Sequence, residues 1–250
     1  MPETLLYEGK AKRVFATDDE AVLLHRYKDD ATAFNAQKRG SWKDKGKTNA
    51  TMSAAMFALL EEKSVPTHFI EQVDETTIKT RKLTMLPVEV VVRNIAAGSL
   101  SRLLGFEEGR QLKAPIIELC YKNDALGDPL LNWHHFRELG VSDEDLGFCE
   151  ELGLKVNAVL APFFDERGVT LVDFKIEVGR EGDSRLMLAD EISPDTCRFW
   201  DKETGERLDK DRFRRDLGGM EEAYAEMLRR VTGPSAISSQ QPAREGDDEN

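Results

Sequence analysis

The run LVDFKIEVG, residues 171–179, decides how the chain reads. Side chains alternate faces along a strand, so Val172, Phe174, Ile176 and Val178 fall on one side and Asp173, Lys175 and Glu177 on the other. One face is apolar and the other ionic. A solvated strand more often carries scattered Thr, Ser and Lys, whereas an acid, a base and an acid in file suit a site that gathers a metal ion and an anionic substrate. Outward from this strand, residues 179–184 (GREGDS) form a polar, Gly-bearing turn and residues 185–189 (RLMLA) a second apolar run that ends in Asp190 and Glu191. That pattern predicts a hairpin. If its loop closes symmetrically, Asp190 faces Asp173 and lies diagonally near Lys175, gathering three carboxylates and one ammonium. The plainer alternative is an exposed edge laced with salt bridges. Carboxylates crowded this closely repel one another unless a cation such as Mg²⁺ sits among them, which favours a site.

Composition sets the outer bounds. With 250 residues, 40% hydrophobic and 8% aromatic, the chain can build an ordinary globular core in one large or two small domains. A formal net charge of -12 argues against a nucleic-acid binder or a protein held on an anionic membrane, so any phosphate site must be local. Cys120, Cys149 and Cys197 are odd in number and widely spaced, which suits a reducing compartment and provides neither a disulfide framework nor a zinc site. No apolar run follows a basic amino terminus and nowhere do eighteen apolar residues occur together. The cytoplasm is the expected location.

The first part of the chain alternates short strand-like runs with turns, at residues 4–8, 13–17, 21–27, 67–71, 77–80 and 88–93. A helix from residue 48 or 49 to about 63 interrupts them, with Met52, Ala55, Met56, Leu59 and Leu60 on one face. Ser142 followed by Asp145 caps a second helix, in which Cys149, Leu152, Val156, Val159, Leu160 and Phe163 repeat at three and four, with Gly153 and Pro162 weakening or kinking it. A last helix covers about residues 219–231. Strands first, then mixed strands and helices without strict alternation, argue for an α+β protein. A division near Leu86-Pro87 gives halves 1–86 and 87–232, followed by a disordered acidic tail, 233–250.

Other constellations are weaker alone. Tyr7-Glu8-Gly9-Lys10-Ala11-Lys12 places a Gly and two lysines between strands, where N–H and ammonium groups can lie over phosphates, although it lacks the spacing of a Walker A loop and most such turns are only solvated. In residues 88–100 (VEVVVRNIAAGSL) an apolar strand runs through Arg93 to Gly98-Ser99 at a helix entry, which suits an anion as well as it suits a plain strand-turn-helix corner. Asp195 and Arg198, in SPDTCR, follow the acidic hairpin directly. The basic run 38–47 (KRGSWKDKGK) could close over a charged substrate or be an ordinary solvated loop. His25, His68, His134 and His135 have no metal spacing, and no nucleophile elbow is visible.

Taken together, these motifs resemble one family, the phosphoribosylaminoimidazole-succinocarboxamide synthases, or SAICAR synthetases, over about residues 3–231. The resemblance rests on YEGKAK at 7–12, the loop at 34–49, LPVEVVVRNIAAGS at 86–99, KNDALGDP at 122–129, LVDFKIEVG at 171–179 and DEISPDTCRFWD at 190–201, in that order. It implies an α+β fold with a smaller antiparallel-sheet N-terminal half over a larger mixed C-terminal half and ATP in the cleft between them. It also implies ATP-dependent ligation of L-aspartate to carboxyaminoimidazole ribonucleotide with Mg²⁺, often in a homodimer. By the same resemblance Lys10, Ala11, Lys12 and Lys122 accompany the nucleotide, with Lys82 and Leu83 at the adenine hinge. Glu177 and Asp190 bind Mg²⁺, and Lys175 bridges nucleotide phosphate and substrate carboxylate. Arg93, Ser99, Asp195, Arg198 and Arg214 hold the ribonucleotide. Val178, where the family more often has an aromatic or Ile, and Pro162, in a helix usually uninterrupted, are small departures.

Carboxylates resist amines because oxide cannot leave, so ATP would first convert the carboxylate to an acyl phosphate that the aspartate amine displaces. The amine must arrive deprotonated, and Asp173 or a neighbouring acid could take the proton. Another ATP-dependent acid–amine ligase or a small-molecule kinase would use the same nucleotide site. A catalytically silent nucleotide-binding regulator would be expected to lack Lys175, Glu177 or Asp190, and all three are present.

Overall fold

The structure, a computed structural model, describes residues 4–33, 37–182 and 185–233. The expected tail from 234 onward, Asp183 and Ser184 of the hairpin turn, and Phe34 at the head of one family motif lie outside the described residues.

The chain begins with strands β1 (Thr4–Glu8), β2 (Lys12–Ala16) and β3 (Val22–Tyr27), a hairpin of β4 (Asp30–Ala33) and β5 (Lys38–Ser41), helix α1 (Lys45–Glu62), and strands β6 (Phe69–Gln72) and β7 (Thr77–Arg81). It continues with β8 (Thr84–Ile95), α2 (Gly98–Leu104), β9 (Gln111–Tyr121), α3 (Trp133–Glu138) and α4 (Asp143–Asp165). The last elements are β10 (Val169–Glu181), β11 (Arg185–Ala189), β12 (Cys197–Asp201), α5 (Asp211–Arg214) and α6 (Met220–Thr232). Among the described residues two five-stranded antiparallel sheets result, one in the order β1-β2-β3-β7-β6 and the other in the order β11-β10-β8-β9 with β12 also on β10, and β4 and β5 form a separate two-stranded sheet. The class is α+β, as expected.

Strand β10 organises the second sheet. One edge pairs with β8; the other is shared, with β12 along its first half and β11 along its second. Phe174, Ile176 and Val178 turn into the main core beneath helix α4, as alternation predicts. Val172 does not join them. A bulge between Leu171 and Asp173 puts Leu171 in that core and Val172 in a separate cluster with Ile95, Ala97 and Trp200. Ser142 caps α4 by accepting from Asp145 N at 3.1 Å, and the helix continues through both Gly153 and Pro162. Gly153 sits where helix and sheet approach closely, since a Cβ there would lie 3.0 Å from Val92 Cγ2.

Several expectations need correction. Asp190 does not face Asp173: Glu177 pairs with Ala189, and Asp190 leaves the strand in a left-handed conformation, φ 69°. Strand β12 occupies the edge beside Asp173, whose neighbours across the sheet are Arg93 and Arg198. Strand β9 escaped the sequence reading because Pro115 demotes it, and Pro is tolerated there because β9 is the sheet's edge. The basic run 38–47 is no open loop. Its first residues pair with β4, Trp42 packs on Phe213 and Tyr224, and Lys45, fully buried, begins α1 three residues before the expected start. Leu86 and Pro87, the expected division, lie within β8.

Among the described residues no helix is long and apolar enough to cross a membrane.

Candidate active site

The change of partner along β10 opens the site. Past Phe174 the edge of β10 loses β12 and has not yet gained β11, and the chain between those two strands, residues 190–196, folds beside it with Lys175 N donating to Thr196 O at 2.9 Å. Lys175 Nζ therefore stands amid carboxylates, 2.8 Å from Glu177 Oε1, 3.0 Å from Glu89 Oε1 and 3.1 Å from Asp190 Oδ2. Burial alone would lower the Lys175 ammonium, but Asp190, Glu177 and Glu89 overcome it and hold the proton well above the ordinary range.

The first sheet contributes from the other side. Gly9 N donates to Lys12 O in the β1–β2 hairpin, which carries Lys10 and Lys12 over the second sheet. Lys12 Nζ lies 2.7 Å from Asp190 Oδ1 and 3.6 Å from Glu191 Oε1. Asp190 is thus held between Lys12 and Lys175, which outweigh burial and press its carboxyl well below the usual range. Glu191, buried and accepting from Ser193 Oγ at 2.6 Å, is instead pushed up by that burial. Lys122 pairs with Glu177, and Lys10 with Asp124 at 2.5 Å. Lys10, Ala11, Lys12 and Lys122 line one cleft with Lys175, Glu177 and Asp190. Lys82 and Leu83 are not in that lining; they form the two-residue connection from β7 to β8 that joins the sheets.

A second pocket adjoins the first and is lined by Arg93, Ser99, Asp173, Arg198 and Arg214, sharing Lys175, Asp195 and Thr196 with it. Arg93 donates to Glu118 Oε2 from Nε at 2.8 Å, to Asp173 Oδ2 from Nη1 at 2.7 Å and to Ser99 Oγ from Nη2 at 2.7 Å. Arg198 Nη1 donates to both oxygens of Asp173, at 3.0 and 2.8 Å. Asp195, at the seam, pairs with the buried Lys45 at 2.7 Å and accepts from Tyr224 Oη at 2.7 Å.

The structure thus brings together every expected site residue except Lys82 and Leu83, and adds Glu89, Glu191 and Lys45. Glu89 had a signal, a lone acid between Val88 and Val90 in an apolar strand. Lys45 had none, because a lysine among lysines reads as solvated.

Among the described residues no group of three or more His, Cys, Asp or Glu is arranged to hold a metal alone. Two carboxylates, Glu177 and Asp190, are turned toward one point, each within 3.1 Å of the same nitrogen. Mg²⁺ is commonly held by one or two carboxylates completed by waters and substrate phosphates, so this donor set fits it.

A family model described as SAICAR synthetase matches residues 5–231. The phosphoribosylaminoimidazole-succinocarboxamide synthase of Deinococcus radiodurans is 56% identical over 227 residues, covering 90% of this chain and 96% of that protein. The enzyme of the same name from Desulfitobacterium hafniense strain Y51 is 57% identical over 228 residues, covering 91% and 95%. Of the solved structures, a SAICAR synthetase in complex with ADP matches with a TM-score of 0.89 at 48% identity, covering 92% of this chain and 98% of that one. The SAICAR synthetase of Pyrococcus horikoshii OT3 matches at 0.86 and 48%, covering 90% and 99%.

Fold and likeness together define an enzyme, a ligase of purine biosynthesis. The chain belongs to the SAICAR synthetase family.

Proposed function

We propose that this chain uses ATP to join L-aspartate to the carboxylate of carboxyaminoimidazole ribonucleotide, giving SAICAR, ADP and phosphate on the route to IMP. One observation carries the reading: Lys175 lies on the seam of two pockets, one lined by lysines and carboxylates suited to a metal-bound triphosphate, the other by arginines suited to a ribonucleotide phosphate. The related structure holding ADP supports a nucleotide in the first.

In this reading Lys10, Ala11, Lys12 and Lys122 line the nucleotide phosphates, and Lys82 and Leu83 meet the adenine where the two sheets join. Arg93, Ser99, Arg198 and Arg214 fix the ribonucleotide, and Asp195 orders the seam. Glu177 and Asp190 hold Mg²⁺, which when bound supplies charge neutralisation at the transferring phosphoryl group. Lys175 reaches toward both reactants, and its ammonium offsets the charge that gathers between them. The substrate carboxylate attacks the γ-phosphorus and ADP leaves. The neutral amine of aspartate then forms the C–N bond, the C–O bond to phosphate breaks with its electron pair on oxygen, and the proton shed by the nitrogen passes to the departing phosphate. Asp173 is assigned to orienting arginines, not to proton removal, because both of its oxygens are already engaged by guanidinium groups. A homodimer working in the cytoplasm belongs to the same reading, supported by the family and by three free thiols.

The test is to follow ADP and SAICAR from purified protein given ATP, Mg²⁺ and the ribonucleotide, with and without L-aspartate. ADP should appear at the full rate only when all are present. ADP release indifferent to aspartate would replace ligation with a kinase reaction.

A further inference from the structure

Behind the arginine pocket lies a row of charges that alternates without interruption: Glu118, Arg93, Asp173, Arg198, Asp211, Arg214. Each aspartate in it bridges two arginines. Asp173 joins Arg93 and Arg198, and Asp211 accepts from Arg198 Nε at 2.8 Å and from Arg214 Nη1 at 2.6 Å. Asp211 is 2% exposed and does not line the pocket, whereas Arg198 and Arg214 do. Its backbone is fixed in turn, for Asp211 N donates to Asp209 Oδ1 at 2.7 Å while Asp209 Oδ2 accepts from Phe199 N in β12 at 2.7 Å. Asp209 is therefore a brace between the start of α5 and the strand that carries Arg198.

We infer that Asp211 is a positioning residue for the ribonucleotide: it holds Arg198 and Arg214 side by side against their mutual repulsion and aims their remaining N–H groups at a phosphate monoester. This rests on the proposed function and names a residue behind its binding set. Two guanidiniums sharing a pocket without a carboxylate between them would swing apart. With Asp211 there, Arg198 spends Nε on it and Nη1 on Asp173, which leaves Nη2 without a hydrogen bond among the described residues and pressed beside Gly98. Ionised Asp211 is favoured in this place, since Arg198 and Arg214 outweigh its burial and press its carboxyl down to about 2. The fork is set before the substrate arrives.

Asp211→Asn keeps the shape and removes the charge. Calorimetry of the whole protein with ribose 5-phosphate and, separately, with ADP reads the two pockets independently. Ribose 5-phosphate should bind about 10- to 100-fold more weakly, the cost of a charged hydrogen bond, with ADP unchanged, and KM for the ribonucleotide should rise while KM for ATP holds. Asp211→Glu, which restores a carboxylate, should recover part of the loss. A merely structural residue would weaken both ligands in step, and that result overturns the inference, as does unaltered binding of ribose 5-phosphate. Wild-type protein that binds ADP but no ribose 5-phosphate would overturn the ribonucleotide pocket itself, and this inference with it.

Discussion

Lys12 Nζ lies 2.7 Å from Asp190 Oδ1, although the two residues are 178 positions apart. The contact ties the hairpin of the first sheet to the chain leaving β11 in the second, and it places a lysine of the proposed nucleotide site on a proposed metal carboxylate. In Lys12→Met, Asp190 keeps Lys175 as its one ion-pair partner among the described residues, with Lys122 acting from farther off. Affinity for ADP should fall by about tenfold or more, and stability by about 1–3 kcal/mol. Calorimetry with ADP and urea unfolding of the same variant check both.

Glu177 accepts from Lys175 and also pairs with Lys122. Glu177→Gln keeps the shape but gives up the charge proposed to hold the metal. The variant should remain folded by circular dichroism and lose turnover, as should Lys175→Ala. Near wild-type rates in either would remove that residue from the mechanism. Chelating Mg²⁺ from wild-type protein should stop the reaction reversibly.

Gly98 opens α2 at φ +55°, and a Cβ there would lie 2.6 Å from Arg198 Nη2. Gly98→Ala must strain the backbone and displace the guanidinium. The expected result is a loss of about 1–3 kcal/mol in stability together with a raised KM for the ribonucleotide. Thermal unfolding and steady-state kinetics read the two effects separately.

The nitrogens of His25 and His68 are buried and have no hydrogen-bond partner among the described residues. Burial, with Lys12 next for His25 and His25 next for His68, lowers both; His25 is pushed down to about 3. The unfolded chain takes up protons on these rings near pH 6.5 and the folded chain does not, so both reduce stability progressively as pH falls below about 6.5, His25 down to about 3. His25→Leu should lose part of this acid sensitivity, measured as a smaller fall in the urea midpoint between neutral and mildly acidic pH.

Much of the site was legible because it sits on strands, where alternation sorts residues by face. Asp173, Lys175 and Glu177 needed only that rule. The hairpin after them was readable too, but its register was not. Gly179, Arg180 and Glu181, which read as turn, continue β10 and pair with Met187, Leu186 and Arg185. Nothing local to residues 190–201 announces that β12 will claim half of one edge of β10. Lys45 and Trp42 were hidden for a different reason. Their neighbours are all polar, and only pairing with Asp195 and packing on Tyr224, both distant in sequence, makes burial affordable. Asp209 and Asp211 were passed over likewise, because Asp-Lys-Asp before an arginine resembles any solvated surface.

The proposed chemistry hinges on phosphoryl transfer to the substrate carboxylate across the Lys175 seam. The most direct measurement follows ¹⁸O from a ribonucleotide labelled in that carboxylate through one turnover with ATP and L-aspartate. Activation through an acyl phosphate predicts one labelled oxygen in the phosphate released. Phosphate carrying no label, with SAICAR formed at the normal rate, would contradict it.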